Sequence, residues 1–308
     1  MTFIQERRLN LTVTLAQVAT AFLGRQGLAA STLKSYELTL LSLLKEHGSL
    51  PIELVDRQII KSYLESLDEL RYTTHNRHQA IISALFNFAI ESGYIQSNPV
   101  SRLSLRKPNR ERGEHNTDEI IRYLTSQELD ILYDLLKKSN ARLETIVRLL
   151  HRTGARIGEL LSLELAQIFQ EQGKFQVVGK GNKQRWCFYS EDAEIALKNY
   201  IKYYRHQRST ALFTAQHPTT KVITPASYEA IQADWREVID QSQDLIGIRL
   251  HDLRHTFATE RVGLMGIEEL RALMGHENIQ TTLRYQKVTS ARAEIVAESA
   301  LNNLTKSI

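Results

Sequence analysis

A tyrosine, two arginines, a lysine and two histidines are spaced along the C-terminal two-thirds of this sequence in a way that suits chemistry at a phosphate. Tyr285, in Thr281-Thr282-Leu283-Arg284-Tyr285-Gln286, is one of 12 tyrosines. Taken alone it reads as a packing residue with a polar tip. Its company upstream changes that. His251-Asp252-Leu253-Arg254-His255-Thr256-Phe257 has the pattern of a helix start, with Leu253 and Phe257 turned to a core. His251 and Arg254, three apart, then share another face. A guanidinium offers a planar two-pronged donor to phosphate, and a nearby imidazole exchanges protons near neutral pH.

Three further residues extend the set. Gly275, after the apolar series Ile267, Leu270, Leu273 and Met274, has the place of a helix C-cap. His276 then opens the segment that ends in Tyr285. Nine residues are a half-integral number of helical turns, so the two converge only if the chain bends between them. Ile279 and Leu283 are expected to pack one face of that segment, with Tyr285 off it. Arg156 follows Thr153-Gly154-Ala155 near the start of a helix whose buried side is Ile157, Leu160 and Leu161, an end that favours anions. Lys180 lies at the tip of a hairpin, a place from which a lysine reaches a ligand.

Two other chemistries fit less well. His251 and His255 have metal-ligand spacing and His276 would be a third ligand. Yet Asp252 stands where zinc proteases carry Glu, and cationic Arg254 lies between the histidines, so no metal is expected. Gly179-Lys180-Gly181-Asn182-Lys183 lacks the spacing of a phosphate-binding loop, which argues against a nucleotide site.

These residues need a scaffold, and 308 residues give room for two domains. Apolar spacing at Leu15, Val18, Ala19 and Phe22 predicts a helix. Further helices are predicted from Ser31-Thr32, over Ile59 to Leu67, and over Ile81 to Ile90 with a stop at Gly93. Periodicity then fades, and the basic stretch Arg106-Lys107-Pro108-Asn109-Arg110-Glu111-Arg112-Gly113 reads as a linker. The expected division is a helical domain at 1–105, a basic linker at 106–117 and a second domain at 118–308. Thr125 with Glu128 forms a capping box opening the second domain. Period-two runs at Phe175–Val178 and Arg185–Tyr189, about a Gly/Asn turn, predict a β-hairpin. The fold class is therefore mainly α with a small β-sheet (α+β).

The formal charge is +4, from 39 Lys and Arg against 35 Asp and Glu. Residues 1–117 hold 14 basic against 11 acidic side chains, and the remainder 25 against 24, so any surface for nucleic acid must come from local clustering. A single cysteine, Cys187, excludes an internal disulfide framework and fits a reducing compartment. Neither a secretory leader nor an apolar run of membrane-spanning length is expected, which points to the cytoplasm.

In order and together, Thr153–Leu163, Val178–Arg185, His251–Thr259 and Leu273–Val288 resemble the tyrosine recombinase (phage integrase) family, most of all Xer-like and simple mobile-element recombinases. The order Arg, Lys, His-x-x-Arg, His, Tyr is the family's, as is the gap of about a hundred residues between Arg156 and His251. The resemblance covers nearly the whole second domain, and more loosely the N-terminal helices, which would be a SAM-like core-binding domain. It implies site-specific DNA recombination through a 3′-phosphotyrosine and a Holliday junction, in integration, excision, or dimer or cointegrate resolution. Tyr285 would attack the scissile phosphate. Arg156 and Arg254 would clamp its non-bridging oxygens, Lys180 would protonate the leaving 5′ oxygen, His251 would help take the tyrosine proton and His276 would hydrogen-bond the phosphoryl group. Glu159 would support the first arginine and His251. No cofactor is implied, since two arginines and a lysine supply the positive charge. His151-Arg152, where the family often has an aromatic or aliphatic residue, and Gln286 depart from its pattern.

Double-stranded DNA carrying a recombination site is the expected partner. Residues 71–78, with two Arg and two His and no acid, precede the clearest helix of the first domain, and Thr32, Lys34 and Ser35 open another. Lys34, Arg77 and His78 are the candidate contacts there, with Lys183 and Arg185 on the hairpin as backbone contacts. The apolar stripe Ala293, Val296, Ala297, Ala300, Leu301 and Leu304 packs in cis as a tail, or, as the resemblance implies, docks on a neighbouring subunit to build a homotetramer on two sites, with accessory proteins or a second recombinase as further partners and a nucleoid-associated location. Two alternatives are a DNA-binding regulator with a decayed site and a topoisomerase-like relaxing enzyme; the intact residue set disfavours the first and the tail stripe the second.

Overall fold

The computed structural model describes residues 13–115, 121–179 and 183–289, with side chains described through residue 286. The chain divides into two compact units, 1–116 and 117–308. The described residues are mainly helical with two small antiparallel sheets.

The first unit contains α1 (Leu15–Leu23), α2 (Ala30–His47), α3 (Arg57–Ser66) and α4 (Tyr72–Glu91). Thr14 caps α1 in a reciprocal box with Gln17, and Asp56 caps α3 through the Ile59 N–H. The predicted apolar faces meet in one core of Leu15, Val18, Phe22, Leu40, Leu43, Ile60, Leu64, Ile82, Leu85 and Phe86. The fourth helix starts at Tyr72, about two turns before the expected apolar run, so residues 72–78 are helical rather than a lead-in. The stretch read as a linker lies, through residue 115, against this unit. Asn76 exchanges two hydrogen bonds of 2.9 Å with the Arg106 backbone, and the Arg106 guanidinium donates to the Asp68 and Leu70 carbonyls. Buried Glu114 accepts from the Tyr72 and Asn109 N–H groups, which hold its carboxyl below the usual range.

The second unit runs α5 (Ser126–Leu136), α6 (Ala141–Thr153), α7 (Ile157–Leu161), β1 (Ile168–Phe169), β2 (Lys174–Val178), β3 (Gln184–Phe188), α8 (Glu191–Tyr203), β4 (Thr214–Gln216), β5 (Ile223–Pro225), α9 (Tyr228–Ile239), α10 (Leu250–Arg261), α11 (Ile267–Met274) and α12 (Ile279–Leu283), followed by a 3-10 turn over Arg284–Thr289. Thr125 and Glu128 form the predicted capping box. The hairpin pairs β2 with β3 in the register Phe175 to Cys187 and Val177 to Arg185, with β1 added at its edge. The β4–β5 ribbon has no counterpart in the sequence reading, since three-residue strands carry too little alternation to register.

Two clusters fill this unit. The larger buries Leu132, Ile146, Leu149, Phe175, Leu197, Phe213, Trp235 and Leu253. The smaller consists of Phe257, Ala258, Val262, Leu270, Met274 and Tyr285. Leu253 and Phe257 thus face inward as predicted, but one turn apart they serve different clusters. Among the described residues no helix is long and apolar enough to cross a membrane.

Candidate functional site

The site is assembled where the start of α10, the turn after α6 and the end of α11 meet. Gly154 makes the first turn possible. Its φ of +63° is left-handed, and a Cβ there would stand 2.4 Å from the Phe257 ring. Its carbonyl accepts a hydrogen bond from Arg254 Nη1, and Arg254 Nη2 donates to the Met274 carbonyl at 2.6 Å. Arg254 is 2% exposed. Burial, and then the charges of Arg156 and Arg185, lower its pKa to about 10, so it remains a cation at neutral pH.

Arg156 is the N-cap of α7, which has only five residues, so its own charge matters more than a helix dipole here. Its side chain is 42% exposed and bonded to Glu159 at 2.9 Å, with a longer contact of 3.4 Å to the Gly275 carbonyl. Buried Glu159 also accepts the Arg156 N–H at 2.7 Å and both prongs of Arg185, at 2.8 and 2.6 Å. Burial alone would raise its carboxyl, but the bonds from Arg185 and the Arg156 N–H hold it at about 2.

Gly275 caps α11 at φ +63°, as expected, and releases His276 into a bend. Asn278 caps the short α12 beyond it through the Gln280 N–H. The bend brings His276 and Tyr285 together, with rings parallel and 6.5 Å apart between centroids. Thr282 supports the arrangement from one turn before Tyr285, its hydroxyl 2.9 Å from His276 Nδ1. Thr282 and Tyr285 are the buried positions of this segment, whereas Ile279 and Leu283 stay half-exposed, the reverse of the expected packing. The reason is that buried Thr282 and Tyr285 have hydrogen-bonding ends that His276 and His255 satisfy, so they can take the interior face. Burial and the three arginines Arg254, Arg156 and Arg185 push His276 down to about 3.

The tyrosine hydroxyl itself lies 2.8 Å from His255 Nδ1. His255 enters the sequence reading only as a possible metal ligand. Burial, then the neighbouring His251, lower it to about 4, so at neutral pH it is an uncharged acceptor. The His251 ring stands edge-on to His255, 4.6 Å between centroids, and is exposed. The mass of protein beside that ring, and Arg254, still lower its pKa. Tyr285 is 3% exposed. Its burial raises the phenol pKa, and the charges of Arg254, Arg284 and Arg156 offset only part of that rise.

Residues 122–292, more than half of the chain, match the phage integrase family. This chain belongs to that family. It is a tyrosine-type, site-specific DNA recombinase. The sequence is 28% identical to tyrosine recombinase XerC of Oceanobacillus iheyensis over 261 residues, 80% of this chain and 81% of the relative. It is also 28% identical to tyrosine recombinase XerD of Haemophilus influenzae over 294 residues, 89% and 92%. Among solved structures, the Tn1549 transposon integrase bound to circular intermediate DNA matches with a TM-score of 0.69 at 21% identity, over 92% of this chain and 99% of that one. XerH bound to a palindromic substrate matches with 0.68 at 17%, over 92% and 84%. These structural likenesses carry the fold.

Within the recombinase, Arg156, Glu159, His251, Arg254, His276 and Tyr285 come together. Lys180 and the apolar tail stripe from Ala293 to Leu304 lie outside the described residues. The expected DNA contacts divide. Lys34 and Arg77 are exposed, with Arg77 bonded to Ser35. Lys183 is exposed beside Glu277 at 3.1 Å. His78 is half-buried, and its buried Nδ1 has no hydrogen-bond partner, so it is less open than its neighbour. Arg185 is turned inward: its side chain is 12% exposed and both prongs are spent on Glu159, because a buried carboxylate needs them. Its Nε is bonded as well, to the Leu273 carbonyl at 3.1 Å. His151, the departure from the family pattern, joins Tyr133 on α5 (2.5 Å) to Glu260 on α10 (3.0 Å), a buried polar link between helices.

Proposed function

We propose that Tyr285 is the nucleophile, and that it must leave its buried position to reach DNA. Its oxygen attacks the scissile phosphorus, the bond from phosphorus to the 5′ oxygen breaks, and the DNA 3′ end is held as a phosphotyrosine. The tyrosine proton passes to a histidine. His255, already at the hydroxyl, and His251 beside it form the path, and an uncharged imidazole is the form able to accept. Lys180 gives a proton to the leaving 5′ oxygen. Arg156 and Arg254 hold the non-bridging oxygens as charge develops, and His276 hydrogen-bonds the same group. One phosphoester replaces another, so the 5′ hydroxyl of a second strand can reverse the step and join it.

The observation that carries this reading is the convergence of Tyr285, with its hydroxyl on His255 and its ring against His276, upon the carbonyl-anchored Arg254. The exposed guanidinium of Arg156 is available to a ligand, whereas Arg254 is oriented by the backbone. The test is a nicked suicide substrate carrying the correct site, in EDTA. A covalent adduct with the recombinase that is lost in Tyr285→Phe is expected. Absence of an adduct on a site that the recombinase binds would overturn the assignment.

We infer that the tail stripe (Ala293, Val296, Ala297, Ala300, Leu301 and Leu304) docks on a neighbouring copy and builds a tetramer on two sites. Deleting residues 290–308 should weaken higher-order complexes in gel shifts more than binding to one site. Unchanged higher-order complexes would count against it.

A further inference from the structure

Arg185 is a charged residue of this site that the reaction scheme leaves unused. It sits on β3, yet its Nε donates to the Leu273 carbonyl at 3.1 Å, near the end of α11. The next carbonyl, Met274, takes Arg254 at 2.6 Å, and the one after it, Gly275, takes Arg156 at 3.4 Å. Three successive carbonyls at one helix C-terminus therefore receive three different arginines, from β3, α10 and the start of α7. A helix C-terminus is the end that attracts cations, and its last carbonyls lack intrahelical donors. Gly275 is fitted to the bundle, since a Cβ there would come within 3.0 Å of the Arg185 side chain. The two remaining prongs of Arg185 fix the Glu159 carboxylate, whose other bonds go to the Arg156 N–H and guanidinium.

We propose that Arg185 is a positioning residue: it locks Glu159 to the end of α11 and so sets the direction in which Arg156 presents its guanidinium to the scissile phosphate. This rests on Arg156 as a phosphate ligand. Without Arg185, Glu159 keeps its bond to Arg156 but loses its anchor, and the pair can swing together. A guanidinium displaced by ~1 Å from a developing charge costs on the order of 10²-fold in rate. The same site needs a fork, because one side chain must serve two carboxylate oxygens and a carbonyl at once, which an ammonium does less well.

The experiment uses the full chain and the suicide substrate at saturating DNA, with an ordinary scissile phosphate and with a methylphosphonate that removes one non-bridging charge. Arg185→Gln is expected to lower the cleavage rate constant about 10²-fold on the phosphate, to leave the dissociation constant within about twofold, and to recover most of the loss on the methylphosphonate, the same pattern expected of Arg156→Gln. Arg185→Lys should recover part of the rate. If Arg185→Gln does not fold, Arg185→Lys carries the same comparison. An equal loss on both substrates would make the role merely structural and overturn the proposal. So would a weakened, more salt-dependent affinity with an unchanged rate constant, which would make Arg185 a DNA contact. Failure of the wild type to form an adduct would instead strike at Tyr285 and the reaction itself.

Discussion

Arg254 gives two prongs of its guanidinium to main-chain carbonyls in two different turns, and Arg185 and Arg156 grip a carboxylate held at about 2. Among the described residues, the Tyr285 hydroxyl has one hydrogen bond, to His255, and its ring lies in a cluster of six buried residues that is far smaller than the main core. The cationic side of the site is thus built into the backbone, while the nucleophile is parked. The difference matches what the chemistry demands of each. A phosphate clamp works best when it need not reorganise as charge develops. A nucleophile with a raised pKa and 3% exposure must move before it can react.

The largest effects should come from breaking the fixed side. Arg254→Ala leaves the Gly154 and Met274 carbonyls without their donor and opens a buried void, so a loss of ~3 kcal/mol or more is expected in chemical denaturation, with no adduct formed. Arg254→Lys keeps the charge but not the fork, and should fold while losing on the order of 10²–10³ in cleavage rate. Full activity in the lysine variant would mean that charge alone suffices. Next comes Gly154→Ala. Its left-handed φ and the Phe257 ring at 2.4 Å from the new Cβ act together, and ~2–4 kcal/mol is expected. Pairing it with Phe257→Leu should restore only part of that stability, since the backbone strain remains. Complete restoration would assign the whole effect to the ring.

Acid should separate the two sides. His255 at about 4 and His276 at about 3 both lie below an unfolded histidine near 6.5. The unfolded chain therefore takes up those protons first. Stability present above pH ~6.5 should fall as the pH drops toward 4, by at most ~1.4 kcal/mol per pH unit for each histidine and less for half-buried His255. Glu159, depressed to about 2, keeps its charge through that window, and its contribution is lost only at lower pH. Melting temperatures from pH 7.5 to 4.5 should show the slope, and His255→Asn should flatten it. An unchanged slope would place the titration elsewhere.

Much of the cationic side was legible in the sequence because it follows local rules. Gly154 and Gly275 mark helix ends, and Arg156 and Arg254 stand at fixed offsets from apolar positions that must be buried. The tyrosine side was less so. The bend between His276 and Tyr285 was required by their spacing, but its consequence was not: that Thr282 and Tyr285 take the interior face from Ile279 and Leu283 depends on hydrogen-bond partners 6 and 30 residues away in sequence. His255, one turn beyond His251, has the spacing of a metal ligand, and nothing local ties it to a hydroxyl 30 residues on. Arg185 looked like a surface cation because hairpin periodicity puts no sign on its face. The carboxylate that turns it inward is 26 residues upstream. The link from residues 106–115 to the first unit was hidden likewise, since it runs through side chains of Asn76 and Glu114 rather than an apolar pattern.

The smallest expected effect is the most direct probe of how Tyr285 is parked. Replacing His255 with Gln removes an imidazole acceptor at 2.8 Å but leaves Phe257, Leu270 and Met274 packed around the ring. A neutral hydrogen bond contributes ~1 kcal/mol, so the fold should lose about that much or less. Access to the phenol should change more, because the population of the outward conformer grows about fivefold for each ~1 kcal/mol removed from the parked one. Nitration by tetranitromethane, followed by mapping of the peptide that holds Tyr285, reads that population. Tyr133, bonded to His151 and with its phenol pushed up to about 12, serves as the internal reference for a tyrosine–histidine pair that should not respond. A severalfold rise at Tyr285 alone would show that His255 holds the nucleophile in place. If labelling is unchanged, the small apolar cluster does the holding, and the contrast between a bonded cationic side and a loosely held nucleophile would have to be redrawn as one between charge and packing.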